Sequence, residues 1–375
     1  MMRKHLIGKL TRGMMLLFIL LSGTAGDVHS FDSETIPSLI SAIRVPGTLD
    51  FCGEKVPLQE PEIREEVEKE LLLSLWERAQ VILWLKRSGR YMPYIEKVLR
   101  QNRMPDDLKY VAIVESSLLP HIGSSKGAVG YWQFIPDTGR KYGLRVSKDM
   151  DDRRNFFSAT RAAMSYFQKL YQDFGSWTLA SAAYNMGEYG LRRRIEEQRT
   201  NDYYHLYLPL ETQRYIYKIL AAKLILSDPE KYGFHLTPQD IYQPRQFDLV
   251  RIESPETNVP LILIAEAAGT WFKTIKDMNP EIRGDELAAG THDILIPKGK
   301  AQSFQNRFAA LIQKEQAEKQ VREASRQEIV YVVRKGDYLS GIAARFNVSM
   351  SDLLRWNNLK HNSNVHPGQK LIIKQ

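Results

Sequence analysis

The residues best placed to do chemistry lie in PDDLKYVAIVESSLLPHIGSSKGAVGYWQFIPDTGRKYG, residues 105–143. Leu108, Val111, Ala112 and Glu115 fall at i, i+3, i+4 and i+7, so the carboxylate of Glu115 shares a helix face with apolar side chains. Pro105 suits the first turn of that helix, and Asp106 and Asp107 favour the positive end of its dipole. Tyr110, Ile113 and Val114 cover much of the remaining surface, which predicts a buried helix. A carboxyl group at its end is desolvated and lies near the negative pole of the helix. Both effects favour the protonated form and raise the pKa, as a general acid requires. The same pattern fits a glutamate that reaches water or a basic partner, and this stretch alone leaves both readings open.

Other groups recur downstream. The small-residue loop 123–130 leads to Tyr131-Trp132-Gln133, then Ala183-Tyr184-Asn185 precedes Gly187-Glu188, and Glu211-Thr212 precedes Tyr215. Small residues let a backbone approach a bulky ligand closely. Gln, Asn and Tyr among aromatics suit a sugar, which offers hydroxyls and acetamides at its edges and C–H faces for stacking. Taken singly, Tyr184 and Tyr215 also read as core aromatics, Asn185 as a helix cap and Gln133 as a surface residue.

The elements that must hold these groups are helical. Residues 62–88 read as one helix, acidic at its start and basic at its end, stopped by Gly89, and 94–100 as a second. Further helices are expected at 155–174, 177–184, 189–198 and 211–226, which makes 62–240 an all-α domain. Ahead of it, Arg3, Lys4, Lys9 and Arg12 precede an apolar run and small residues. Residues 1–30 therefore read as a signal peptide, with an uncleaved membrane anchor as the alternative. The run is shorter than the ~20 residues of a spanning helix. No cysteine follows it, so a lipoprotein anchor is not expected. Residues 31–61, with Pro37, Pro46, Gly47, Gly53 and Pro57, read as an extended leader.

The single cysteine, Cys52, excludes an internal disulfide framework, and the eight histidines show no metal-ligand spacing, so neither metal nor cofactor is expected. Formal charge is +8, of which residues 1–30 supply +3. The remainder is too small and dispersed to argue for nucleic acid.

After Pro244 the pattern changes to strand, helix, helix, strand over 246–299, and the plan repeats over 329–375. An offset of 78 positions places Ile264-Ala265 on Ile342-Ala343, Ile275 on Leu353, Asn279 on Asn357 and Gly290 on Gly368, with a slip of one or two residues in the last strand. Residues 300–328, rich in Gln, Glu, Lys, Arg and Ala, read as a solvated helical linker.

Taken together, Glu115-Ser116, Gly130-Tyr131-Trp132-Gln133, Ala183-Tyr184-Asn185, Gly187-Glu188 and Glu211-Thr212 with Tyr215 resemble the bacterial lytic transglycosylases of the soluble-transglycosylase type with C-terminal LysM repeats. Val332-Val333, Lys335-Gly336-Asp337, Leu339-Ser340, Trp356-Asn357 and 367–371 look like a LysM module, with Tyr338 where Thr is common; the 246–299 unit lacks the Gly-Asp pair. The resemblance implies a multidomain chain: an all-α lysozyme-like catalytic domain followed by two small βααβ LysM-type modules.

It also implies an exported, periplasmic or cell-envelope enzyme acting on peptidoglycan glycan strands. Glu115 would protonate the oxygen between N-acetylmuramic acid and N-acetylglucosamine, then take the proton of the muramyl 6-hydroxyl as a 1,6-anhydro ring closes. Asp106 and Asp107 sit about two turns away, too far to pair with it. The resemblance casts Ser116 as holding substrate or orienting Glu115, Gln133, Tyr184 and Asn185 as lining the groove, and Tyr215 as hydrogen-bonding near the carboxyl. In the LysM module it casts Gly336, Asp337, Tyr338, Asn364 and Val365 as glycan contacts. A hydrolytic muramidase on the same fold and a non-catalytic peptidoglycan-binding scaffold are the alternatives.

Overall fold

The computed structural model describes residues 37–374, apart from 255, 325–327 and 361–362 and the side chains of 323 and 324. The expected signal peptide and the first residues of the leader lie outside the described residues.

The rest of the leader differs from expectation: it is packed. After the single turn α1 (Leu39–Ala42), a tight antiparallel hairpin of β1 (Asp50–Phe51) and β2 (Glu54–Lys55) buries Leu49, Phe51, Val56 and Leu58 in the main core. Glu54 reaches from this hairpin to cap a helix of the next domain. Its carboxylate accepts from the backbone N–H of Trp177 at 2.6 Å and of Thr178 at 3.0 Å, and from the Ser176 and Thr178 hydroxyls. A carboxylate at a helix N-terminus satisfies donors that no turn of the helix can.

The first long helical segment also differs. It divides at Glu77 into α2 (Pro61–Trp76) and α3 (Arg78–Gln101), and Gly89 and Pro93 lie inside α3. Gly89 is a contact and not a stop. The chain at 241–242 crosses so closely that a Cβ on Gly89 would stand 2.0 Å from Ile241 Cγ2 and 3.2 Å from the Tyr242 carbonyl oxygen. Tyr242 N–H donates to the Lys86 carbonyl at 2.9 Å.

A 3-10 turn at Asp106–Leu108 leads into α4 (Lys109–Ser116). Beyond it come α5 (Pro136–Lys141), α6 (Phe156–Phe174), α7 (Trp177–Met186), α8 (Glu188–Gln198) and α9 (Leu210–Ser227). Ile216, Ile219, Leu220, Ala221 and Ala222 of α9 are wholly buried, and α9 packs against α2, α4 and α7. A helix apolar on most sides belongs in the middle of a helical domain.

Two smaller units complete the chain. In the first, β3 (Phe247–Ser254) pairs antiparallel with β6 (Gly290–Pro297), from Phe247 opposite Pro297 to Ser254 opposite Gly290. Between them lie β4 (Val259–Pro260), α10 (Leu261–Ala267), α11 (Phe272–Met278) and β5 (Glu286–Leu287). After α12 (Ala301–Ala324), β7 (Glu328–Val332), α13 (Leu339–Arg345), α14 (Met350–Trp356) and β8 (Lys370–Lys374) repeat the plan, with β7 antiparallel to β8.

One side chain does the same work in both units. The Asn279 amide donates to the carbonyls of Ile275 and Leu295 and accepts from Leu295 N–H; Asn357 does so with Leu353 and Ile372. The strand partner comes one residue earlier in the second unit, which is the slip that the aligned sequences need. The linker expectation changes as well: the first turns of α12 pack on the first unit through Phe304, Phe308, Leu311 and Ile312, and only residues 313–322 are exposed throughout.

The first unit is docked on the helical domain. Met150 sits in its core and pairs with Ile282, Arg283 N–H donates to the Asp149 carbonyl at 2.8 Å, and Phe157 meets Phe247 edge to face. No helix among the described residues is long and apolar enough to cross a membrane.

Candidate active site

Glu115 is the penultimate residue of α4, and the chain leaves the helix abruptly beyond Ser116. Ser117 and Leu118 both adopt left-handed backbone, at φ 54° and 60°. Such a pair in non-glycine residues costs on the order of 1–2 kcal/mol each and persists only where neighbours enforce it. Here α3 enforces it. The Gln80 amide and Trp84 Nε1 donate to Ser117 Oγ, and Arg87 donates to the Ser117 carbonyl at 3.1 Å. The helix thus ends with Glu115 facing a cleft of about 680 Å³.

One wall of the cleft is the loop running from Ile122 to Gln133. Its floor is fixed from two sides: Ser116 Oγ donates to the Tyr131 carbonyl at 2.8 Å, and the Tyr184 hydroxyl donates to the Trp132 carbonyl at 2.6 Å. The buried Trp132 donates from Nε1 to Thr160 at 3.0 Å. Held between these anchors, Gln133 takes φ 49° and spends both amide protons on the carbonyls of Ile122 and Gly130. Its amide oxygen is what it can offer a ligand.

The opposite wall comes from the end of α7 and the start of α9. Tyr184 stacks on Phe167 at 4.5 Å between ring centroids. Thr212 donates to Asn185 Oδ1 at 2.7 Å, which leaves the Asn185 N–H₂ group as a donor. Tyr215 donates its hydroxyl hydrogen to Glu115 Oε1. Burial pushes the Glu115 carboxyl up to about 7, the Tyr215 hydrogen bond opposes that rise, the charge of Glu211 adds to it and that of Lys218 opposes it. Burial, with the Glu115 charge beside them, raises Tyr184 and Tyr215 too, so both phenols stay protonated.

The structure therefore brings Glu115, Gln133, Tyr184, Asn185 and Tyr215 to one cleft. Ser116 is the exception. It is 4% exposed and absent from the lining, because its hydroxyl is committed to the backbone of the Gln133 turn. It orients the turn from below. Glu211, which also lines the cleft, pairs with Lys126 across it at 3.6 Å. Residue type alone gives no hint of that pairing, although an acid in the first turn of the last helix is visible in the sequence. Glu188 shapes the rim by accepting from the Tyr166 hydroxyl at 2.8 Å and Lys141 at 3.1 Å.

In the C-terminal unit, Asp337 is likewise structural. Its carboxylate accepts from Tyr331, from Arg334 N–H and from Arg345, which hold it below the usual carboxylate range. These bonds brace the turn made by Gly336 at φ 92°. Tyr338 and Asn364 are at least partly exposed, and Val365 packs against the unit's core.

This architecture, a helical cleft with one half-buried acid ahead of small strand–helix–helix–strand units, has known counterparts. The Transglycosylase SLT domain family matches residues 92–207, and the LysM domain family matches residues 331–374. The chain is 34% identical over 336 residues to the membrane-bound lytic murein transglycosylase D of Escherichia coli (strain K12), a match covering 86% of this chain and 72% of that protein. The same protein from Escherichia coli O6:H1 (strain CFT073) matches equally. The solved soluble lytic transglycosylase SLT70 of Escherichia coli is similar at 17% identity and a TM-score of 0.34, covering 52% of this chain and 40% of that one, a likeness too slight to carry an argument. The helical domain is thus a transglycosylase SLT domain joined to a C-terminal LysM domain. The chain belongs to the lytic murein transglycosylase D family.

Proposed function

We propose that the chain is a peptidoglycan lytic transglycosylase that cleaves the β-1,4 bond between N-acetylmuramic acid and N-acetylglucosamine without adding water. The carrying observation is Glu115, half-buried in the cleft, raised to about 7 and hydrogen-bonded by Tyr215. A carboxyl group with that affinity is protonated often enough at neutral pH to act as an acid, and basic enough afterwards to act as a base. Glu115 gives its proton to the glycosidic oxygen as the C1–O bond breaks. The muramyl 6-hydroxyl then attacks C1, and its proton returns to Glu115. Gln133, Tyr184 and Asn185 hold the sugar rings, and Tyr215 steadies the carboxylate between the two transfers.

The C-terminal unit binds glycan and keeps the enzyme on its polymer in the cell envelope. The 246–299 unit is a second, diverged LysM-type module, a reading supported by the shared Asn279 and Asn357 hydrogen bonds. Replacing Glu115 by Gln should lower release of anhydro-muropeptides from purified sacculi by at least about 10³-fold; a variant that kept its activity would remove Glu115 from this role.

Glu211 favours a second reading. It is the other carboxylate lining the cleft among the described residues, and a second carboxylate is what a hydrolase uses to activate water or stabilise the cation. Mass spectrometry separates the two, because hydrolysis leaves ends one water heavier than anhydro ends.

A further inference from the structure

Arg153 lies behind the cleft, between its wall and the docked unit. It is 6% exposed and every arm of its guanidinium is engaged. Nε and Nη2 fork onto Asp151 at 2.7 and 2.9 Å. Nη1 donates to the Gly127 carbonyl at 2.8 Å and to the Phe134 carbonyl at 3.0 Å. These two carbonyls bracket the segment that carries Gln133, so one guanidinium ties both its ends together. Midway along, Gly130 passes so close that a Cβ there would stand 1.9 Å from the Arg153 carbonyl oxygen. Ser116 and Tyr184 anchor the middle of the segment through the Tyr131 and Trp132 carbonyls, and Val129 pairs with Gly123 and Phe134. Arg153 is the side chain that ties its two ends together, next to residues 121–127, which are all exposed.

The other end of this connection belongs to the docked unit. Asp151 N–H donates to the Glu281 carbonyl at 2.8 Å, and the Asn155 amide donates to Glu281 Oε1 at 2.8 Å. Met150, next in the chain, is part of the unit's core. Contacts therefore run without a gap from Glu281 through Asp151 and Arg153 to Gly127 and Phe134.

We propose that Arg153 is a positioning residue of the cleft, through which docking of the 247–297 unit on 149–155 sets the placement of the 127–134 wall opposite Glu115. The unit thereby serves the cleft as a brace, whether or not it also binds sugar. Arginine is required because a lysine ammonium cannot hold Asp151 in a fork and reach two carbonyls as well.

The test is hydrogen–deuterium exchange on the full chain, joined to kinetics on soluble glycan strands; only the kinetic arm rests on the function proposed above. Arg153→Ala should speed amide exchange over 127–134 at least tenfold while α9 keeps its protection, and should raise KM about tenfold with kcat within about threefold. Arg153→Lys should fall between it and wild type. Glu281→Lys, at a side chain that hydrogen-bonds Asn155 on the docking segment, should loosen 127–134 as well, and its effect should not add to that of Arg153→Ala. A folded Arg153→Ala with wild-type exchange over 127–134 overturns the proposal, and so does a Glu281→Lys that frees the unit without loosening the wall. Should Arg153→Ala fail to fold, the other two variants carry the same readings. Loosening of the wall in a protein whose wild type releases no anhydro products would overturn the functional reading alone.

Discussion

The proton on Glu115 serves both activity and stability. Its folded pKa, about 7, lies above the ordinary value of 4.5, so the folded state binds the proton more tightly than the unfolded chain does. Stability attached to this group is full below the unfolded value and is lost as pH rises towards 7. Glu281, also raised to about 7 by burial, adds the same sign in the same window. Glu115→Gln should therefore be more stable than wild type at pH 8, by about 2 kcal/mol once the solvent in the cleft is allowed for, as thermal or urea unfolding will read. Activity in the acid role should decline as pH rises through about 7. Tyr215→Phe removes the hydrogen bond that lowers the Glu115 pKa, so the alkaline limb of its pH–rate profile should move to higher pH. At this scale much is readable in the sequence. Glu115, Gln133, Tyr184, Asn185 and Tyr215 carry recognisable side chains at recognisable intervals. The roles of Ser116 and Arg153 are not readable, because whether a hydroxyl or a guanidinium turns towards ligand or towards backbone depends on neighbours far along the chain.

The helices are legible where their ends carry local signals and misread where a distant segment decides. Residues 155–174 to 211–226 fall close to α6–α9, whose limits are marked by Asn155, Ser176, Gly175 and Gly187. Gly89 looks like a stop, yet it lies inside α3 because Ile241 and Tyr242 need the space of its missing side chain. Gly89→Ala should cost about 1–3 kcal/mol by overpacking, seen as a lower thermal midpoint, even though alanine is the better helix former. The leader reads as loose because prolines and glycines break its periodicity, which says nothing of the few apolar side chains it buries. Glu54→Gln should destabilise the helical domain by about 1–2 kcal/mol, since its carboxylate holds four donors at the start of α7.

Across the molecule, the two βααβ units share a device and differ in what depends on it. Loss of Asn279 or Asn357 leaves the strand N–H and carbonyl that the side chain holds without that partner, a cost of about 1–3 kcal/mol within the unit affected. Asn357→Ala should weaken retention on sacculi several-fold in a pull-down. Asn279→Ala should in addition speed exchange over 127–134, because its unit is docked behind the cleft. The repeat is legible through Asn and Ile at matched intervals; the docking is not, since it joins residues 149–157 to 247 and 281–283, far apart in the chain, partly through backbone groups.

The exposed half of α12 has a consequence for how the wall is cut. Residues 313–322 rise about 15 Å along a helix on the way from the first small unit to the C-terminal unit. A polymer gripped by the C-terminal unit is then presented to the cleft at a preferred stride, so fragments from anchored strands should cluster in length. Breaking α12 with Gln316→Pro should widen that distribution, while fragments from short soluble strands, which the C-terminal unit need not grip, keep theirs.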